Sequence, residues 1–318
     1  MSEHTAGPKL VRPRAAGAGS TSLRQLLRVG EGSGPPELRA VDPRSTPGLP
    51  SRDVVGGDPK AWARAQVAEL GAELARQQEM LFAEAKQRPE SGRRVLIVLQ
   101  AMDCGGKDGV IKRVAGVMNP LGLHIRAFAP PTVEERRHDF LWRIRRALPA
   151  PGYVGVFNRS HYEDVLVARV ESLVPERTWR ARYDEINAFE AELVGSGVSL
   201  VKVMLHISYE EQRERLLARL NDPTKRWKYD PADVDARARW DDYQAAYADA
   251  LRRCGTLQAP WHVVPADRKW YRDWAVAHLL RETLAELRLS YPDADFDVAR
   301  ERTRLLREAE GEHEVNVN

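Results

Sequence analysis

The residues best placed for chemistry fall in Gln100-Ala-Met-Asp-Cys-Gly-Gly-Lys-Asp-Gly-Val-Ile-Lys112, directly after the apolar run Val95-Leu-Ile-Val-Leu99. The order is strand, glycine-bearing loop, lysine, then helix. Gly105, Gly106 and Gly109 let successive backbone N–H groups turn toward an anion. The helix N-terminus adds partial positive charge, and Lys107 adds a full one. Such a cradle binds phosphate. Against the pattern G-x-x-x-x-G-K-[ST], Gly106 and Lys107 fit, but Ala101 takes the first Gly position and Asp108 replaces the Ser or Thr that reaches Mg²⁺. A tight strand-to-helix turn with an exposed lysine would read the same way. Asp103 inside the loop and Asp108 at the helix start change the weighing, because carboxylates repel a phosphate unless a divalent cation lies between them. For Asp108 the plain alternative is an acid favoured by the helix dipole.

A second polar burst, Asn158-Arg-Ser-His-Tyr-Glu-Asp164, follows the strand-like Tyr153-Val-Gly-Val-Phe157. In doubly wound sheets the carboxyl edge of the strands is where ligands bind. There Arg159 can face a phosphate, and Glu163 or Asp164 a metal. The same string also reads as a capped helix start, with Asn158 or Ser160 as cap and Glu163 completing a capping box. A third cluster, Lys225-Arg-Trp-Lys228, is a compact cationic loop flanked by prolines. The helix before it carries Arg215 and Arg219 one turn apart. A charge run is usually a solvated surface, but its place between the fourth and fifth strands is where nucleotide kinases carry a mobile lid. Lys112-Arg113, Arg136-Arg137 and Arg145-Arg146 are further basic pairs. The first extends outward from the loop, as a track for a long polyanion requires.

These clusters need a scaffold, and the hydrophobic pattern supplies one. Trp62, Val67, Leu70, Leu74, Leu81 and Phe82 recur near helical spacing, which predicts a long amphipathic helix over Lys60–Arg88. Short apolar runs at 95–99, 124–129, 153–157, 200–207 and 261–264 are separated by segments long enough for helices. That alternation predicts βαβ units and a parallel sheet covered on both faces. A helix over Tyr209–Leu220, the basic loop and a helix carrying Trp240, Tyr243 and Tyr247 form the expected lid region, 209–250. Residues 1–59, rich in Gly, Pro, Ser and Arg, are expected to be an extended or disordered arm, and 291–318 a charged tail that frays beyond a last helix.

Composition sets outer limits. With 49 Lys+Arg against 46 Asp+Glu the formal charge is +3, too even for a surface that coats nucleic acid. Cys104 and Cys254 form no metal-ligand pattern and no disulfide framework. No apolar run at the start suits a signal peptide and none is long enough to cross a membrane, so a soluble cytoplasmic protein without membrane partners is expected.

Taken together, Leu-Gln-Ala-Met-Asp-Cys-Gly-Gly-Lys-Asp-Gly at 99–109, Phe-Asn-Arg-Ser-His-Tyr-Glu-Asp-Val-Leu at 157–166, Asp-Pro-Thr-Lys-Arg-Trp-Lys at 222–228, Trp-Asp-Asp-Tyr at 240–243 and Ala-Pro-Trp-His-Val-Val-Pro-Ala-Asp-Arg-Lys-Trp-Tyr at 259–271 resemble the family-2 polyphosphate kinases. The resemblance spans nearly the whole chain after the arm. It implies an α/β, three-layer αβα P-loop kinase fold with a helical lid over residues 60–290. It also implies Mg²⁺, or Mn²⁺ in its place, inorganic polyphosphate and nucleoside mono- and diphosphates as substrates, and a homo-oligomer. Carried over by position, Asp103, Lys107 and Arg159 take the catalytic places. Gly105, Gly106, Asp108, Gly109, Asn158 and Glu163 surround nucleotide or phosphate, and Asp103 and Glu163 hold metal. Arg219, Lys225 and Lys228 match the basic lid, with Lys112 and Arg113 continuing the polyphosphate track. Two departures stand out. Asn158 replaces the Asp of many relatives, a change that a subgroup shares, and Cys104 stands where Ala is more usual. An acid at Glu163 resembles the versatile subgroup that accepts both AMP and ADP. The rival readings are an ATP-dependent small-molecule kinase and a non-catalytic binding module, the latter motivated by Ala101, Asp108 and Asn158.

Overall fold

A computed structural model describes residues 22–31 and 38–315. Its centre is a six-stranded sheet of β1 (Arg28–Val29), β2 (Arg94–Gln100), β3 (Leu123–Ala127), β4 (Val154–Asn158), β5 (Val198–His206) and β6 (Trp261–Pro265), in spatial order β1-β6-β5-β2-β4-β3. From β2 onward every pairing is parallel, and only the short edge strand β1 runs antiparallel, against β6. Strands buried on both faces read as continuous apolar runs. β2 shows how the alternation works: Leu96 and Val98 enter the core on one face, while Val95, Ile97 and Leu99 enter the core on the other.

Helices cover both faces. In chain order they are α1 (Leu23–Leu27), α2 (Arg52–Val55), α3 (Pro59–Gln87), α4 (Lys107–Arg113), α5 (Trp142–Arg146), α6 (Val167–Val170), α7 (Glu176–Gly195), α8 (Tyr209–Asn221), α9 (Ala232–Ala238), α10 (Trp240–Cys254), α11 (Lys269–Glu286) and α12 (Val298–Val315). Side chains of α1, α3, α4 and α11 fill one core, and those of α5, α6, α7 and α10 fill the other, which gives the expected three layers. α3 begins where Asp58 accepts the Lys60 and Ala61 N–H groups and Pro59 presets the first turn. Because β2 to β5 are parallel, the loops after all four leave the same edge of the sheet. β2 sits between β5 and β4 and is the switch point of that edge.

Within the expected arm, residues 1–21 and 32–37 lie outside the described residues, and the rest is built differently from the expectation. Leu23, Leu27 and Leu38 are buried in the two cores. Tyr271 Oη donates to Pro47 O at 2.7 Å, and the Asp267 N–H donates to Pro43 O at 3.1 Å. The segment is a strap rather than a free arm. Its Gly and Pro content prevents long regular elements, but three leucines and a few carbonyls are enough to dock it. The tail includes α12, on which Leu305 and Leu306 are exposed. Among the described residues no helix is long and apolar enough to cross a membrane.

Candidate active site

The shared strand edge carries a cavity of about 540 Å³. The loop after β2 and the start of α4 give it Asp103, Cys104, Gly106, Lys107 and Asp108. The end of β3 and the turn after it give Ala127 to Pro130, and the end of β4 with the residue after it gives Asn158 and Arg159. Arg219 of α8, together with Lys228, Asp230 and Asp233, closes it from the lid region. Three clusters that are far apart in the sequence thus meet at one place.

The loop holds its shape through close packing. Gly106 has φ +104°, and a Cβ there would collide with the buried Arg272 guanidinium. Arg272 is fixed by Asp273 at 2.8 Å, and Arg113 pairs with the same carboxylate. At Gly109 a Cβ would come within 2.5 Å of the Arg113 guanidinium and 2.7 Å of that of Arg272, so a side chain there would have to push these tips aside. Arg215 is buried beneath the loop, where it donates to Cys104 O at 2.9 Å and to the Ala266 and Asp267 carbonyls. It is a brace, while Arg219, one turn later, lines the cavity. The Cys104 thiol is pushed up to about 11, chiefly by burial, and so stays neutral as a small packing group.

Lys107 is buried, and its Nζ donates to Ala101 O at 2.9 Å. Burial, together with the nearby Arg159, holds its ammonium below the ordinary value. Arg159 has φ +63°, a strained backbone for a residue with a Cβ, and such strain collects at functional sites. Its guanidinium lies 2.8 Å from Asp103 Oδ1 and 3.8 Å from Glu163 Oε2. Burial works against its charge, but the two carboxylates outweigh that and hold it above the usual value. Asp108 accepts from Asn158 Nδ2 at 3.0 Å and from Lys228 Nζ at 3.1 Å. Partial burial opposes its charged form, yet Lys228 and Asn158 win and keep its carboxyl below the normal range. An Asp at position 158 would set two carboxylates against each other here, whereas the Asn158 amide makes a hydrogen bond. The arrangement can therefore seat phosphates among preorganised cations, which is what phosphoryl transfer requires.

The polyphosphate kinase 2 (PPK2) family model matches residues 64–290. The chain belongs to the polyphosphate kinase 2 family. It is 45% identical over 259 residues to an AMP/ADP-polyphosphate phosphotransferase of Meiothermus ruber, covering 81% of this chain and 92% of that protein. It is 43% identical over 211 residues to an ADP-polyphosphate phosphotransferase of Rhodopseudomonas palustris, covering 63% and 73%. The crystal structure of polyphosphate kinase 2 from Arthrobacter aurescens TC1 superposes with a TM-score of 0.84 at 48% identity, covering 90% of this chain and 97% of that one. Membership makes the chain a phosphotransferase with the P-loop kinase fold.

Within this family member, the expected site residues divide into two groups. Asp103, Gly106, Lys107, Asp108, Asn158, Arg159, Arg219 and Lys228 share the cavity. Gly105 and Gly109 shape the loop from outside it, and Glu163 touches it only through Arg159. Lys225 pairs with Asp222 instead, Lys112 is exposed and does not line the cavity, and Arg113 is tied to Asp273. The capping box at Ser160 does not form as expected. Ser160 Oγ accepts the Tyr162 N–H, while the Glu163 carboxylate turns to Arg159.

Asp230, Asp233 and the turn 127–130 were not expected at the site, and neither was the support beneath it. Buried Lys202 of β5 donates to Glu190, to Tyr162 Oη at 2.9 Å and to Cys254 O at 2.6 Å. Glu190 Oε1 also accepts from Tyr162 Oη at 2.8 Å and lies 3.2 Å from His161 Nε2. His161 and Tyr162 therefore anchor the turn that follows Arg159 and do not face the cavity. A lone lysine inside an apolar strand was the available signal, since buried charges demand partners.

Proposed function

We infer that the chain moves a phosphoryl group between inorganic polyphosphate and AMP or ADP, or their guanine counterparts, forming the next higher nucleotide. The observation that carries this reading is the convergence of Lys107, Arg159, Arg219 and Lys228 with Asp103 on one cavity at the strand edge. An oxygen of the acceptor phosphate attacks the terminal phosphorus of the polyphosphate. The anhydride P–O bond breaks, and a chain one phosphate shorter leaves. Lys107 and Arg159 meet the charge that spreads over the transferring oxygens, and the lid cations hold the departing chain. No covalent enzyme intermediate is needed.

Asp103 and Glu163 suit a Mg²⁺ ion, or Mn²⁺ in its place. Among the described residues no group of three or more His, Cys, Asp or Glu forms a closed metal site, and Mg²⁺ commonly takes one or two carboxylates and completes its shell from phosphate and water. Such an ion would neutralise charge on the transferring and leaving oxygens. The same reading takes the enzyme to be cytoplasmic and homo-oligomeric, without nucleic-acid or membrane partners. Residues 60–290 would form the kinase domain. Incubation with AMP or ADP, Mg²⁺ and polyphosphate, without ATP, tests the whole. New ATP is the expected result, and tight binding of both substrates without transfer would leave only a binding module.

A further inference from the structure

The carbonyls of Asp103 and Cys104 are both held by α8. Gln212 Nε2 donates to Asp103 O at 3.0 Å, and Arg215 donates to Cys104 O at 2.9 Å. Gln212, Arg215 and Arg219 are spaced i, i+3 and i+7, so one face of α8 grips the loop at two peptides and reaches the cavity at a third point. The loop needs that grip. Cys104 has φ +62°, a conformation that disfavours any residue with a Cβ and persists only where the surroundings over-determine it. Gln212 is itself held: it is 1% exposed, and its Oε1 accepts from Arg237 of α9 at 3.0 Å. Arg237 is buried too. Its guanidinium also donates to Tyr209 O and lies 3.2 Å from the centre of the Tyr209 ring, which meets Trp240 edge-on at 5.2 Å. Both hydrogen bonds go to neutral oxygens, and a buried guanidinium with neutral partners is a costly way to stabilise a helix. Its placement asks for another reason. One turn earlier on α9, Asp233 lines the cavity and pairs with Arg219. The same short helix therefore touches the cavity through Asp233 and the support of Asp103 through Arg237.

We propose that Gln212 is a positioning residue for Asp103, and that Arg237 links it to α9. The proposal rests on the phosphoryl-transfer reading above, in which Asp103 works beside Lys107 and Arg159. Rotation of the peptide between Asp103 and Cys104 swings the Asp103 side chain relative to Arg159, which it meets at 2.8 Å. The bond from Gln212 stops that rotation. A primary amide suits the task because one planar group carries both roles: its NH₂ donates to the loop and its oxygen accepts from α9. A carboxylate could serve only Arg237, and an apolar chain neither. With α9 seated on Tyr209, the amide is fixed in the orientation that serves the loop. With α9 displaced, it is free to turn. The geometry at Asp103 and the charge that Asp233 brings to the cavity are thus set by one helix.

The test uses the full chain and steady-state rates on AMP and polyphosphate, measured well below each variant's melting temperature so that only folded enzyme is compared. Gln212→Met keeps the shape and removes both bonds. Gln212→Glu keeps an acceptor for Arg237 and removes the donor to Asp103. Each should lower kcat roughly 10–100-fold with both KM values within about threefold, because a small displacement of a reacting group costs rate rather than binding. A merely structural Gln212 would lower the melting temperature and leave the kcat of folded enzyme unchanged. That result, or a parental kcat in Gln212→Glu, overturns the proposal. Arg237→Met should show the same split to a smaller degree, with Arg237→Gln in its place if the first does not fold. Because Arg237 acts through Gln212, the double variant should be no slower than Gln212→Met alone, and losses that multiply would reject the link to α9. Amide exchange separates these outcomes from failure of the phosphotransferase reading. The Gly105 N–H bonds Met102 O at 3.0 Å, and its exchange should quicken about tenfold or more in Gln212→Met while that of β2 is unchanged. Unchanged exchange at Gly105 rejects the hold on the loop, whereas a parent that transfers no phosphate rejects the phosphotransferase reading.

Discussion

Lys228 Nζ lies 3.1 Å from Asp108 Oδ2, a contact that joins the loop after α8 to the first turn of α4. The pair is largely exposed, and such pairs contribute only about 0–1 kcal/mol. It holds the lid lysine near the site yet can yield it to a phosphate. Asp108→Asn should free Lys228 and lower the apparent KM for polyphosphate. Lys228→Ala should raise that KM and flatten its dependence on potassium chloride, because each lost phosphate contact removes part of the salt slope. Lys225→Ala should change little, since its ammonium is already paired with Asp222. Equal effects of the two lysines across the salt series would exclude this division of labour.

Lys107 is expected to matter for rate far more than for folding. A preorganised cation aimed at transition-state charge is worth about 3–4 kcal/mol, or roughly 10²–10³ in kcat. Lys107→Ala should lose that much while remaining folded, with a small change in thermal midpoint, because relief of an unfavourably buried charge offsets part of the lost bond to the Ala101 carbonyl. A kcat within a few-fold of the parent at saturating substrates would remove Lys107 from the phosphate site.

The loop after β2 was legible because its chemistry is local: glycine, lysine and acid follow one another directly after a buried strand. The lid acids were not. Asp230 and Asp233 follow the basic loop in what reads as a polar helix start, and only the fold of α8 and α9 turns Asp233 toward Arg219. His161 and Tyr162 sit in a motif that looks catalytic, but their partners Glu190 and Lys202 are 28 and 40 residues from Tyr162 in the chain. Spacing alone cannot report such contacts. For the same reason the docked strap, anchored by Leu23, Leu27 and Leu38, read as an arm.

Asp233 gives the site a pH dependence. Partial burial and the Asp103 carboxylate raise its carboxyl to about 6, against the pull of Arg219 at 3.3 Å. Its folded pKa lies above the ordinary 3.8, so the folded state gains stability from this group as pH falls through about 6, and that contribution is lost as pH rises through the same value. Protonation also loosens the ion pair with Arg219, which keeps its bond to the Lys228 carbonyl at 2.8 Å, and removes a negative charge from the proposed polyanion path. Between pH 7.5 and 5.5 the apparent KM for polyphosphate should fall, on top of any change from the substrate's own phosphates. Asp233→Asn should lower it at both pH values and weaken the difference. An identical pH profile in parent and variant would show that Asp233 plays no part.

The buried Lys202–Glu190 pair should behave as structural support. Removing one partner of a buried pair costs about 3–5 kcal/mol, because the other charge is left stranded. For a chain of 318 residues that is a drop of about 4–8 °C in Tm for Lys202→Met. Adding Glu190→Gln should restore part of it. A single variant within about 1 °C of the parent would mean that Glu190 finds another proton or partner at little cost.

Acceptor choice is the prediction that depends most on Glu163. Its Oε2 stands 3.8 Å from Arg159, and Arg159 in turn grips Asp103 at 2.8 Å, so the acid can act on the accepting phosphate in two ways. It can steer Arg159, or it can add a second carboxylate beside Asp103 for a divalent ion. Either role matters more for AMP, which lacks the β-phosphate that would itself bind cations and metal, than for ADP. Ser160 caps its turn through Tyr162, so loss of the Glu163 charge should leave that turn intact. Glu163→Gln is therefore expected to reduce kcat/KM for AMP roughly tenfold or more while reducing that for ADP only a few-fold, at unchanged Tm and fixed Mg²⁺. Equal losses on both nucleotides would make Glu163 a general orienting residue, and no loss on either would make it a surface acid without a role in transfer.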